Sequence, residues 1–400
     1  MVRNKVIIIT TNPFPIGLAG TNRILSYSKG FIFHGYFPKV ICSRPTEHHK
    51  SVFNKSINGM YKGIQFSYPG GTTIRVSTFW GRRWNDLKGM IMTIRRLHNY
   101  LKSGDIALII FYGNSLFTEL VCIFISRIYN VKIFKEESEN PQVYFLGRTS
   151  LITRFHRWFY INKLYDLYNG LLLMTHPLEE YFIEKGFNIK KILVVAQTVD
   201  EERFDLQNIM EENHNPNEYV AYVGSLNQLK DGVLSLIESF AIISSSYPKL
   251  DLVIAGDGSP EEKSKMAELI QELHLNTKVH YIGRLSSDEI PRFFKNSKLL
   301  VSCRPVSLQS DYGFPTKVAE YLASGIPVIT TATGEIQYFL KDRINAFVAE
   351  SADHKIFANK ILEALSDYSF ALEVAAAGRI LAKTHFSPLY QVGKIIEFAE

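Results

Sequence analysis

Val301-Ser-Cys-Arg-Pro-Val-Ser-Leu-Gln-Ser-Asp-Tyr-Gly-Phe-Pro-Thr-Lys-Val-Ala-Glu-Tyr-Leu-Ala-Ser-Gly-Ile-Pro-Val-Ile329 reads as strand, loop, helix and strand in turn. Leu299 to Cys303 is an apolar strand and the loop turns around Gly313 and Pro315. A short helix then carries Lys317 and Glu320, Gly325 stops it, and Val328 to Thr331 is a second strand. A loop that opens a helix at the carboxyl end of a strand aims backbone N–H groups at whatever sits there, and the helix dipole favours an anion, most often phosphate. Glu320, one turn further in, is then within reach of a ribose. The alternative is an ordinary solvated glutamate on a surface helix.

The chain around this stretch has 400 residues, 46% of them hydrophobic, which favours two domains over one. A net charge of +6 does not by itself argue for nucleic acid, but it fits an anionic substrate or a lipid surface. Cys42, Cys122 and Cys303 are scattered and odd in number, which points to a reducing compartment without structural disulfides or a cysteine metal site. Polar Thr10, Thr11 and Asn12 cut the N-terminal apolar run, so it reads as a buried strand and not as a secretory leader. Ile106 to Phe134 is interrupted by Gly113, Asn114, Glu119 and Arg127, so no segment spans a bilayer. The expectation is a cytoplasmic protein, with peripheral contact at the membrane as an option.

Lys5 to Thr10 is a strand, Gly17 and Gly20 lie in the loop after it, and Thr21 is placed to cap the helix that Gly35 ends. Such a glycine loop permits close backbone approach to a ligand, with a plain tight turn as the alternative. Tyr61 to Tyr68 reads as a strand, and Trp80-Gly-Arg-Arg-Trp84 leads into a helix over Leu87 to Leu101. Asp105 to Tyr112 has the continuous apolar character of a parallel strand covered on both faces. Val131 to Phe134 is the next strand, followed by Lys135-Glu-Glu-Ser-Glu-Asn-Pro141 as a charged loop just beyond its carboxyl end. One of Glu137 and Glu139 is positioned there for an acceptor hydroxyl, unless the loop is only solvated. A second basic and aromatic helix runs from Thr149 to Tyr168. Together with the first it suggests a lipid surface, or equally a solvated basic face.

The boundary between domains is placed near residue 188, and the polar stretch Gln207 to Glu218 precedes a second series of alternating strands and helices. Lys230 follows the first strand of this series at a helix start, where its charge would neutralise a departing diphosphate. Ala255-Gly-Asp-Gly258 is a tight turn against which a nucleotide can lie, and Arg304 follows the strand ending at Cys303. Each of these alone reads as a solvated lysine or an ordinary turn. Several strand ends carrying anion-compatible groups, with Glu320 for a ribose, favour a site.

Thr11-Asn-Pro-Phe-Pro15 with Gly17 and Gly20, Val223-Gly-Ser225 with Lys230-Asp-Gly232, Ala255-Gly-Asp-Gly258, Tyr281-Ile-Gly283 and Phe314 to Ile329 with Gly334-Glu335 and Asn345-Ala346 resemble the family-4 glycosyltransferases of the GT-B fold. The resemblance spans nearly the whole chain, and its most specific part is 314–346. It implies an α/β fold of two Rossmann-like, doubly wound domains facing across a cleft. Residues 1–188 would form the acceptor side and 189–385 the nucleotide-sugar side, with a C-terminal helix over 386–400 packing back on the first domain. It also implies a retaining transferase that takes a sugar from a nucleotide diphosphate donor to a saccharide or lipid-linked saccharide, without cofactor, metal or nucleic acid.

Carried over on the matching motif, Glu320 would hold the ribose hydroxyls and Lys230 the diphosphate. Gly17, Gly20, Ser225, Gly256, Asp311, Phe314, Thr316 and Lys317 are expected to line the donor, with Arg304 and Glu139 beside Lys230 as candidates for the chemistry. Two positions depart from the family's pattern: Tyr312 stands where its first glutamate falls, and Ser225 where an arginine is usual. Arg304 would supply the missing charge and Asp311 the missing carboxylate. The departures keep a catalytically inactive binding subunit open, and the shared architecture keeps a nucleotide-sugar epimerase open.

Overall fold

The computed structural model of the chain describes residues 3–49, 52–145, 150–204 and 218–400. They belong to two compact units, one of Met1–Thr198 with Pro388–Glu400 and one of Val199–Ser387. Most of the polar stretch expected before the second series, 207–217, lies outside the described residues.

The first unit opens with β1 (Lys5–Thr10), α1 (Ala19–Phe33) and β2 (Phe37–Cys42). β3 (Asn58–Tyr61) and β4 (Ile64–Ser67) follow as an antiparallel hairpin, where the sequence suggested one strand. Lys62 and Gly63 at φ +47° and +79° make the two-residue turn whose twist matches that of the flanking strands. α2 (Phe79–Leu101), β5 (Ile106–Tyr112), α3 (Leu116–Ile128) and β6 (Lys132–Glu137) come next. α4 (Leu151–Phe159) continues into a π-helical turn over Tyr160–Leu164, and β7 (Gly170–Leu173), α5 (His176–Glu184) and β8 (Ile192–Val194) complete the series. The sheet order is β3-β4-β2-β1-β5-β6-β7-β8, parallel except for the hairpin. Val6 to Ile9 and Ile109 to Phe111 are all buried, as central strands covered on both faces require.

The second unit contains β9 (Glu218–Ser225), α6 (Gln228–Asp231), α7 (Val233–Ser244), β10 (Leu250–Asp257) and α8 (Pro260–Glu272). β11 (Val279–Gly283), α9 (Ile290–Lys295), β12 (Leu299–Ser302), α10 (Leu308–Tyr312) and α11 (Thr316–Ser324) follow. It ends with β13 (Val328–Thr331), α12 (Ile336–Phe339), β14 (Phe347–Ala349), α13 (His354–Ser366) and α14 (Tyr368–His385). Its sheet, β11-β10-β9-β12-β13-β14, is parallel throughout. One apolar cluster joins its strands to α7, α8 and α13, including Leu252, Ile254, Val301, Ile237, Met266 and Phe357.

The division between the units falls at 198/199 and not near 188. β8 pairs with β7 and so belongs to the first sheet, and Val195 N–H donates to Leu173 O at 2.8 Å just beyond it. The last helix, α15 (Pro388–Ala399), packs on α1 in the first unit. A Cβ on Gly30 would stand 2.5 Å from Pro388 O, so the two helices approach this closely only because residue 30 is glycine. Lys394 Nζ donates to Val194 O at 2.6 Å and ties the helix to the sheet edge.

Candidate functional site

In the second sheet the chain order reverses at β9, which has β10 on one side and β12 on the other. Open α/β sheets bind ligands in the crevice at the carboxyl ends of the strands at such a point. Lys230, Arg304, Lys317 and Glu320 all sit on the segments that follow these two strands. Gly232, at φ +66°, fixes their spacing: a Cβ there would lie 1.8 Å from Cys303 O, so the loop after β9 rests directly on the end of β12. Asn227 caps α6 by accepting from Lys230 N–H at 2.9 Å, and the Lys230 side chain is left exposed.

Lys317 runs past Gly224, where a Cβ would stand 2.4 Å from its Nζ. It reaches Asp231 Oδ1 at 2.6 Å and Tyr222 Oη at 3.0 Å. Their side chains are 13% and 6% exposed for Lys317 and Asp231. Burial pushes the Lys317 ammonium below the usual lysine range; Asp231 opposes this, while Arg304 and Lys230 add repulsion. Lys230, Arg304 and Lys317 thus lie close enough to repel one another, and their positive charge suits a bound anion. Sequence reasoning proposed Lys317 and quoted Asp231 only within a motif. Tyr222 was missed: its hydroxyl donates to Ser225 O at 2.6 Å and shapes the turn after β9.

Arg304 is buried. Its N–H donates to Thr331 Oγ1 at 3.2 Å, the Thr331 hydroxyl returns a bond to Arg304 O at 2.7 Å, and Nη2 donates to Gln309 O at 3.2 Å. The guanidinium therefore braces the segment carrying α10, which Ser307 caps through Ser310 N–H. Asp311 is half-buried on α10, and Phe314 is buried against Phe386 with ring centroids 5.3 Å apart. Phe314 is an anchor for the loop. Thr316 and Lys317 open α11, where Pro315 at the N-cap gives no side-chain acceptor to the first-turn N–H groups. Tyr321 docks the helix onto β9 by accepting from Val223 N–H at 2.9 Å.

Glu320 is half-buried on α11 with Arg203 Nη1 3.5 Å from its Oε1. Burial raises its carboxyl and Arg203 opposes the rise. Arg203 Nη2 donates to Ser287 O at 2.9 Å, which holds the guanidinium in place. No local pattern marks Arg203, 117 residues from its partner. Ser225 Oγ accepts from Asn227 N–H at 3.1 Å and so serves the turn. Gly256, at φ +148°, would place a Cβ 1.7 Å from Gly224 O, so strands β9 and β10 end in close contact there. Asp257 in the same turn pairs with Lys263 at 2.7 Å and Arg284 at 2.8 Å.

In the first unit Gly17 and Gly20 lie at the start of α1, beside the order reversal at β1. A Cβ on Gly17 would meet Thr21 Oγ1 at 2.0 Å, and one on Gly20 would meet Asn12 Oδ1 at 2.8 Å. Thr21 does not cap the helix, which starts two residues earlier; its hydroxyl donates to Pro13 O at 2.6 Å. The charged loop expected after Phe134 is mostly strand, because β6 continues through Glu137 and buries Lys135, Glu136 and Glu137. Arg23 Nε meets Glu136 Oε1 at 2.5 Å, Lys135 Nζ meets Glu119 Oε2 at 2.9 Å, and Tyr144 and Tyr165 hydroxyls donate to Glu137 at 2.8 and 2.9 Å. Burial pushes Glu137 up to about 7, against the pull of Lys135. Only Glu139 remains beyond the strand, half-buried. Among the described residues no group of three or more His, Cys, Asp or Glu side chains is placed to hold a metal ion, and no helix is long and apolar enough to cross a membrane.

Two parallel-sheet α/β units in one chain make this a GT-B fold. The Anabaena protein HepE, solved in complex with UDP-glucose, shares it with a TM-score of 0.68 at 16% identity, over 98% of each chain. Residues 205–380, which carry every candidate of the second unit, match the model of the family glycosyl transferases group 1. The amylovoran biosynthesis glycosyltransferase AmsK of Erwinia amylovora is 24% identical over 234 residues, 58% of this chain and 56% of that protein. The capsular polysaccharide biosynthesis glycosyltransferase CapM of Staphylococcus aureus is 31% identical over 192 residues, 46% of this chain and 48% of that protein. The chain spans about half the length of these two relatives.

Proposed function

We propose that the protein is a glycosyltransferase that moves a sugar, with retention, from a nucleotide diphosphate sugar to a hydroxyl of a saccharide or lipid-linked saccharide during cell-surface polysaccharide synthesis. The observation that carries this reading is the meeting of Lys230, Arg304 and Lys317 with the uncapped start of α11 at the order reversal of the second sheet, one helical turn from Glu320. The names of AmsK and CapM support the polysaccharide role, and the UDP-glucose bound by HepE supports the donor class.

The diphosphate lies against Lys230 and the first-turn amides of α11, with Arg304 adding charge from below its loop. The ribose hydroxyls donate to Glu320. As the bond between the anomeric carbon and the diphosphate oxygen breaks, negative charge collects on the leaving group, where fixed cations and amides stabilise it most. The acceptor oxygen bonds to the anomeric carbon from the same face, and its proton passes to the departing diphosphate. The protein contributes position and charge.

A panel of nucleotide sugars incubated with the purified chain tests this reading. Slow donor hydrolysis supports it, isomerised donor identifies an epimerase, and binding without turnover identifies an inactive subunit, the reading that Ser225 and Tyr312 favour. Lys230→Ala is expected to lower turnover by about 10²–10³. Loss in Lys230→Ala but not in Arg304→Ala would remove Arg304 from the assignment, and unchanged donor affinity in Asp311→Ala would remove Asp311.

A further inference from the structure

The first unit carries a surface cavity of about 320 Å³ beside α4. Arg154, Arg157 and Lys185 line it, and among the described residues no aspartate or glutamate does. Among the described residues none of the three has a carboxylate within ion-pair distance: Arg157 Nη2 lies 3.5 Å from the neutral Gln142 Oε1, and Lys185 Nζ lies 5.7 Å from the Tyr181 ring centroid. Three cations converging on a concave, carboxylate-free surface repel one another unless an anion joins them.

The same helix presents an apolar stripe. Leu151, Phe155 and Trp158 follow one another at four and three residues, so they share a face of α4, and they are 79%, 67% and 51% exposed. Arg154 and Arg157 occupy the adjoining face at the same spacing. Trp158 belongs to both, since it also lines the cavity, together with Ile161. A ligand seated on the cations therefore has an uncovered aromatic and aliphatic track leading away from it.

We propose that this cavity binds the phosphate or diphosphate of a single lipid-phosphate molecule, with the chain lying along Leu151, Phe155 and Trp158. A concave cluster fits one head group, whereas a bilayer surface is met by basic residues spread over a flat face. Joined to the glycosyltransferase reading, on which this role rests, the site holds the anchor of a lipid-linked acceptor. The binding itself needs no such premise.

Farnesyl diphosphate, a soluble lipid diphosphate, is the probe, titrated by calorimetry without nucleotide sugar so that a chain lacking transferase activity still gives an answer. Saturable binding is expected, with inorganic diphosphate and farnesol each at least about tenfold weaker because each lacks one half of the recognition. Arg154→Ala/Arg157→Ala should weaken the probe by about 10–100-fold, and Arg154→Lys/Arg157→Lys should recover most of it. Both positions are exposed, and circular dichroism checks that the variants fold. A probe-dependent change in tryptophan fluorescence should vanish in Trp158→Phe while Trp80 and Trp84 remain. Equal binding of inorganic diphosphate, equal affinity in the Ala variant, or Arg-dependent binding of phosphatidylglycerol vesicles without binding of the probe would each overturn the proposal.

Discussion

Asp231→Ala removes the carboxylate that lies 2.6 Å from Lys317 and leaves an ammonium 13% exposed with the Tyr222 hydroxyl as its remaining partner. Breaking a buried pair by deleting one member costs about 3–5 kcal/mol. The lower end applies here, because Tyr222 still accepts and Lys317 has the option of shedding its proton, so we expect about 3 kcal/mol. For a unit of about 190 residues this lowers the transition by roughly 6–12 °C. The sign of the pH dependence follows from Lys317. Its folded pKa lies below its unfolded value, so between the two the unfolded chain binds more protons and stability rises with pH. Deleting Asp231 lowers the folded value further and carries that window towards neutrality. The deficit should therefore be smaller at about pH 9.5 than at about pH 7, as read by scanning calorimetry at both. The double variant Asp231→Ala/Lys317→Met should recover most of the loss. A deficit below about 1 kcal/mol, or one equal at both pH values, would refute the reasoning.

Gly232→Ala forces a Cβ against Cys303 O at a left-handed backbone position, and should displace the Lys230 loop so that donor affinity falls while far-UV circular dichroism is kept. Arg203→Ala takes away the charge that opposes the rise of the Glu320 carboxyl. Nucleotide affinity, measured by calorimetry from about pH 8 down to about pH 5, should then begin to fall at a higher pH than in the parent. Glu119→Gln takes the charge from the 2.9 Å partner of fully buried Lys135, which keeps Glu137 at 3.4 Å, and should destabilise the first unit by about 2 kcal/mol in denaturant unfolding. Arg82→Ala, an exposed change on α2 whose lost bond is to Ser77 O, should stay within about 0.5 kcal/mol and serves as the control.

The apolar strands were legible because parallel strands buried on both faces are written as continuous runs: Val328–Thr331 was placed to the residue, and Asp105 to Tyr112 to within one. Charge misled the reading where it was buried. Lys135-Glu-Glu137 looks like a loop until Arg23, Tyr27, Glu119, Tyr160 and Tyr165 arrive from other parts of the chain, with Tyr144 close by, to satisfy it. Lys317 likewise finds its partner 86 residues away. α2 was started eight residues late because Gly81 beside tryptophans and arginines suggests a loop. That glycine is a packing requirement, since a Cβ there would stand 2.6 Å from Thr78 Oγ1. Glu320 and Lys230 could be proposed because their motif is local. Arg203 could not, because what it does depends wholly on where the chain returns.

The helix that covers α1 has a consequence for biosynthesis. Residues 199–387 are made after the body of the first unit and before α15, so at translation rates of about 5–20 residues per second the ribosome takes roughly 10–40 s between the two. Throughout that interval Gly30 and its neighbours on α1 stand uncovered while the inserted unit is being made. α1 thus gains its cover only after the inserted unit has been made.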